Sequence, residues 1–168
     1  ASARHGDQVE FEFAAESTGE PLDVFDEALE RLSLEDLVDL GEAIRTKLLA
    51  AAPDAEIQAG VERTLDRVSI HTSLGLQVEE RRGALGLSAS LIRAKQDDIF
   101  IGGRSISLRR LDESAMDRMI HRLMTTYRRS EQLVSAPSGE LPVAFAPSAV
   151  VALLLPLLFG CNGRNVQT

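Results

Sequence analysis

The period of the hydrophobic pattern changes from 3.6 to 2 near residue 55, and this change constrains the fold of the 168-residue chain more than any other feature. Before it, apolar residues recur on one stripe of a segment that opens at Ser33 and ends between Ala50 and Pro53. The stripe consists of Leu37, Leu40, Ile44 and Leu48. Ser33 stands three residues before Asp36, which is the spacing of a capping box. The pattern predicts an amphipathic helix with an acidic outer face, followed by β-strands.

Apolar and polar side chains alternate in three runs within the region of about residues 55–110. The runs are 68–72, 76–91 and 99–108, and residues 73–75 supply a turn between the first two. Gly102 and Gly103 stand where a bulge or a turn is expected. Short connections between such runs are typical of an antiparallel meander with one apolar face.

Further elements are predicted on both sides of these strands. Apolar residues in 25–32 share one face of a short turn or helix, and the alternation in 9–13 predicts a half-buried strand. Asp112 is a plausible N-cap for a second long helix. The buried side of that helix is predicted to contain Met116, Ile120, Leu123 and Tyr127.

Residues 141–163 form an uncharged stretch that is long enough to suggest a membrane-spanning helix. Pro142, Pro147 and Pro156 interrupt the stretch, and each proline inside a helix costs about 3 kcal/mol. The longest proline-free piece has eight residues and is too short for a bilayer core of ~30 Å. The sequence therefore favours a short buried strand at 141–146 and a buried apolar helix with Pro147 in its first turn. The predicted fold class is α+β: an antiparallel meander packed by two long helices, with this strand and helix at the end.

The net charge of −8 is distributed unevenly. Residues 1–80 hold 19 acidic and 6 basic residues, a net −13, whereas residues 81–168 hold 7 and 12, a net +5. The basic half contains Arg104, Arg109, Arg110, Arg118, Arg122, Arg128 and Arg129. We favour a solvated or internally paired face, with the acidic helix as its partner, over a protein interface. Nucleic acid is the least favoured ligand because only Tyr127 supplies an aromatic ring among these charges.

The residues that most often carry chemistry form no catalytic pattern. His5, His71 and His121 lack metal-ligand spacing, and ordinary surface histidines are favoured over a composite site. Cys161, the one cysteine, excludes an intramolecular disulfide and suits a reducing compartment. At the end of an apolar helix it is expected to be structural or incidental, because burial and the helix dipole disfavour the thiolate. The chain also lacks phosphate-loop and nucleophile-elbow motifs, so we predict no catalytic, cofactor-binding or metal-binding residue.

Three stretches in order resemble the TldD/PmbA (TldE) family of zinc-dependent proteases, also called modulators of DNA gyrase. The first is Val68-Ser69-Ile70-His71-Thr72-Ser73-Leu74-Gly75. The second is the helix 112–129 with the following Ala136-Pro137-Ser138-Gly139. The third is Leu141-Pro142-Val143-Ala144-Phe145-Ala146-Pro147, with the apolar helix and Gly160-Cys161-Asn162-Gly163 behind it. The resemblance covers about residues 25–168.

The resemblance implies that this chain itself binds no zinc. In the TldD branch the helix after this proline carries a HExxxH motif, and those positions fall here on Leu155, Pro156 and Gly160. None of these three can bind zinc or act as a base. The chain therefore resembles the PmbA/TldE branch, a catalytically empty subunit that pairs with a zinc-bearing TldD-like subunit. Such a cytoplasmic heterodimer cleaves unfolded or modified peptides, and whether this chain alone is an enzyme stays open.

The same resemblance implies a domain organisation. Residues 1–136 correspond to an α+β domain of the N-terminal type, and 137–168 to a linker, strand and apolar helix that lead into a further, β-rich domain of the family. We therefore expect this chain to be part of a longer protein or a short relative. A rival interpretation is a stand-alone interaction module that binds a protein such as a topoisomerase or gyrase-related subunit and does no chemistry.

Overall fold

A computed structural model describes residues 13–16, 22–96, 98–135 and 137–161. The chain divides into two compact units, Ala1–Gln132 and Leu133–Thr168. The elements of the first unit are α1 (Glu27–Arg31), α2 (Leu34–Ala51), β1 (Glu56–His71), β2 (Gln77–Lys95), β3 (Asp98–Leu108) and α3 (Glu113–Ser130). The second unit contains a single 3₁₀ turn (Pro147–Ala149) and α4 (Val150–Gly160) among its described residues. Of the strand predicted at 9–13, only Phe13 lies within the described residues.

Side-chain caps define where the two long helices begin. The Ser33 hydroxyl accepts a hydrogen bond from the Asp36 N–H at 3.1 Å, and the Asp36 carboxylate accepts one from the Ser33 N–H at 2.7 Å. This reciprocal pair is the capping box that the sequence predicts for α2. At α3, the Asp112 carboxylate accepts from the Ala115 N–H at 3.1 Å, so the predicted N-cap is also confirmed.

The three strands form an antiparallel sheet in the order β1-β2-β3, which confirms the predicted meander. β1 pairs with β2 from Glu56 opposite Ile92 to His71 opposite Gln77, so it begins well before the predicted start at Val68. The bulge or turn predicted at the double glycine is wrong. Gly102 pairs with Leu91 and Gly103 with Ser90, in the same regular register as their neighbours.

The core of the first unit lies between one face of the sheet and the helices α2 and α3. Its buried members are Leu29, Ile44, Leu48, Ala52, Leu85, Leu87, Ala89, Leu91, Met116, Met119, Ile120, Leu123, Met124 and Tyr127. β2 contributes every second residue to this face, as a strand with one covered side must. Helices packed on an antiparallel sheet confirm the predicted α+β class.

The second unit confirms part of what the sequence predicts. Pro147 occupies the first turn of a helical segment that continues into α4, as expected. The buried strand predicted at 141–146 is wrong, because these residues have no regular structure and are exposed. Pro142 lacks the N–H that a strand ladder needs. The prediction that this helix is buried is wrong, and its exposure makes it the candidate site.

Candidate interaction surface

The apolar surface of α4 is the most unusual feature of the described residues. The helix contains no charged residue, and Leu and Ala favour its helical conformation. Pro156 lies inside it and supplies no N–H to the Ala152 carbonyl one turn earlier. The helix ends at Gly160, and the N–H of the next residue, Cys161, donates to the Leu157 carbonyl at 2.8 Å.

Every large apolar side chain of α4 is exposed, and none of its residues is buried. The exposed fraction runs from 37% at Val150 to 67% at Leu158. The α4 surface consists of Val150, Val151, Leu153, Leu154, Leu155, Leu157, Leu158 and Phe159. Exposed apolar surfaces of this extent are uncommon on monomeric soluble proteins.

The three positions that the resemblance aligns with a zinc motif lie on this helix. Leu155 is 44% exposed, Pro156 is the internal proline, and Gly160 is the last helical residue. None of their side chains offers a nitrogen, oxygen or sulfur atom that binds a metal. Across the described ranges, no group of three or more His, Cys, Asp or Glu residues is placed to hold a metal ion.

The other candidates from the sequence are scattered. His71 ends β1 and His121 lies on the outer side of α3, both exposed, whereas His5 lies outside the described residues. Cys161 is exposed, so the expected burial of its thiol is wrong. The arginines of the basic half are exposed, and two of them pair within the chain, Arg110 with Asp23 and Arg118 with Asp112, in agreement with the favoured solvated or internally paired face. The ion pair that joins α2 to α3 is Lys47–Asp117 at 2.7 Å, in which the acidic helix supplies the cation.

A polar network inside the first unit was not anticipated from the sequence. Arg93 is only 2% exposed, and its guanidinium lies 3.1 Å from the Asp98 carboxylate and 3.5 Å from that of Glu131. The same guanidinium lies 5.2 Å from the centre of the Tyr127 ring. The signal was present in the alternation of β2, where Arg93 follows Leu85, Leu87, Ala89 and Leu91 at the inward positions.

The hydroxyl of Tyr127 extends this network to the start of the sheet. It donates a hydrogen bond to the Asp54 carboxylate, which also pairs with the Lys95 ammonium at 2.9 Å. These two contacts lower the pKa of Asp54 from its ordinary value of 3.8 to about 2. Burial raises the pKa of Tyr127, and the neighbouring Asp54 carboxylate raises it further. The network therefore fixes the ends of elements and holds no reactive group in an open cleft.

No helix in the part of the chain that the structure describes is long and apolar enough to cross a membrane. In comparisons with protein-family models, curated proteins and solved structures, nothing matches this chain.

Proposed function

We propose that this chain is the non-catalytic binding subunit of a heterodimeric metallopeptidase of the TldD/PmbA (TldE) type. Its partner in this proposal is a zinc-bearing TldD-like subunit, and the cytoplasmic pair acts on unfolded or modified peptides. The partner supplies the metal and the base. This chain supplies binding surface and part of the wall around the substrate.

The observation that carries a binding role is the exposure of the α4 surface. Burying one Leu, Val or Phe side chain contributes about 1.5–3 kcal/mol. The seven Leu and Val side chains of this eleven-residue helix are between 37% and 67% exposed, so covering them favours association. The loss of translational and rotational freedom and the ordering of the interface oppose this gain.

The order of the resembling stretches along the fold supports the choice of family. Residues 68–75 end β1 and form the turn into β2. α3 leads towards Pro137-Ser138-Gly139, and Gly139 has the positive φ of 122° that glycine adopts without strain. α4 then follows Pro147, where the TldD branch carries its zinc motif.

The test is co-expression of this chain with a HExxxH-bearing homologue from the same genome. We expect a stoichiometric complex that cleaves an unfolded casein, loses activity with a zinc chelator, and leaves little activity in either subunit alone. The variant Leu157→Lys puts a charge on a side chain that is 63% exposed on α4 and should abolish the complex. Ile101→Lys, at a 72% exposed position on β3, is the matched control and should leave the complex intact.

Two results would overturn the proposal. One is stoichiometric, chelator-removable zinc in this chain purified alone, since the catalytically empty assignment excludes it. The other is the absence of any complex with the zinc-bearing homologue. A stable complex with a topoisomerase subunit in its place would support the interaction-module alternative.

A further inference from the structure

A groove of about 290 Å³ lies between α2 and the connection from β3 to α3. It is lined by Leu32, Asp36, Asp39, Leu40, Ala43 and Leu111. Leu32 and Leu40 pack against the buried core, so the apolar floor of the groove is held in place. Leu111 forms one wall and is 45% exposed, although it is a large apolar residue.

The rim of this groove is acidic. Of the four acidic residues between Ser33 and Ala43, Asp36 and Asp39 line the groove, and this span contains no lysine or arginine. Hydrogen bonds from the backbone and hydroxyl of Ser33 lower the pKa of Asp36, so its carboxylate is ionised at neutral pH. Asp39 is exposed and forms no ion pair with any described residue.

The cations near Leu111 face other carboxylates. Arg110 pairs with Asp23, and Arg109 lies within electrostatic reach of Glu80. The negative rim is thus not neutralised from the side of the β3–α3 connection. An occupant must therefore bring its own positive charge.

The size and charge of the groove select the class of occupant. Its volume is just below the roughly 300–1,000 Å³ of small-molecule sites and suits one or two apolar side chains. An acidic rim repels nucleic-acid phosphates and anionic lipid headgroups. A polypeptide with an apolar side chain between lysines or arginines matches both the floor and the rim.

We propose that this groove is a docking site for a basic polypeptide segment whose apolar anchor side chain enters between Leu40 and Leu111, with Asp36 and Asp39 binding the flanking cations. The site lies in the first unit and does not depend on the α4 surface or on the protease assignment.

The probes are fluorescein-labelled peptides in which one Leu, Phe or Met is flanked on each side by two lysines. We expect at least one of them to bind the full chain saturably, with weaker binding as salt rises. Asp39→Lys and Leu111→Ser should each weaken this binding by about fivefold or more. Glu62→Lys makes the same charge change as Asp39→Lys on the other face of the sheet and should change affinity by less than about twofold.

Circular dichroism spectra and melting temperatures equal to those of the unchanged chain show that each variant is folded. The proposal fails if Glu62→Lys weakens binding as much as Asp39→Lys, because the attraction then comes from net charge alone. It also fails if a serine-anchored peptide binds as tightly as the apolar ones. Absence of saturable binding up to about 1 mM for all three peptides overturns it as well.

Discussion

A single glycine in β3 accommodates the packing of an aromatic ring. A Cβ atom added to Gly102 would lie 2.5 Å from Cζ of Phe100, so the ring occupies the space where a side chain would stand. Phe100 in turn packs edge-to-face on Tyr127, with the ring centres 5.7 Å apart, and lies 5.9 Å from the Arg93 guanidinium. Gly102 therefore serves the packing of a neighbour and not a bulge or a turn.

This arrangement predicts different effects for two adjacent glycines. Gly102→Ala should reduce the free energy of unfolding by about 1–3 kcal/mol, because the Phe100 ring must leave its contact with Tyr127. At Gly103 the added Cβ meets the Ala89 carbonyl at an ordinary 3.4 Å, so Gly103→Ala should change stability by less than about 1 kcal/mol. Urea denaturation of both variants measures the difference. Equal losses would show that backbone freedom, not the ring, determines the cost.

At the scale of elements, the polar network around Tyr127 connects three ends. Asp54 lies between α2 and β1, Lys95 ends β2, and Tyr127 lies in the last turns of α3. The Tyr127–Asp54 and Lys95–Asp54 contacts hold these ends together. The Arg93 side chain lies buried beside them in the core. Such a junction ties the end of α3 and the end of β2 to the connection between α2 and β1.

The lowered pKa of Asp54 predicts a pH dependence of stability. Its folded-state value of about 2 lies below its ordinary 3.8, so the stabilisation is complete above about pH 4 and is lost as the pH falls towards 2. Asp54→Asn should therefore lower the melting temperature at neutral pH, and its curve should approach that of the unchanged chain near pH 2. Thermal melts from pH 2 to 7 measure this, with Glu62→Gln as the control for loss of a carboxylate. A constant gap between the two curves would contradict the assignment.

The elements were predictable where the periodicity is strong, and their surroundings were not. Residues 37–48 and 112–127 carry clear helical stripes, and the caps at Ser33 and Asp112 follow from local chemistry. Periodicity cannot say whether an apolar segment has a partner, so α4 was predicted as a helix but wrongly as a buried one. Arg93 was missed because charge normally indicates a surface, and only its register in β2 places it inside.

At the scale of the whole molecule, the ion pairs between the acidic and basic halves of the chain lie mostly outside the two long helices. Arg118 pairs with Asp112 on its own helix terminus, and Arg110 pairs with Asp23. Most of these ion pairs are exposed, and exposed pairs contribute only about 0–1 kcal/mol each. Stability must then come from the buried apolar residues, and those within the described ranges all belong to the first unit.

A chain that ends at Gln132 should therefore retain the stability of the full chain. It keeps α2, the sheet, α3 and the Glu131 partner of Arg93, and loses the exposed α4 surface. We expect a single cooperative melt within about 4 °C of the full chain, measured by circular dichroism, together with less self-association in sedimentation. A chain that ends at Leu111 is the control, because it lacks the buried residues of α3 and should not fold. A loss of cooperative melting in the chain that ends at Gln132 would show that the second unit contributes to the stability of the first.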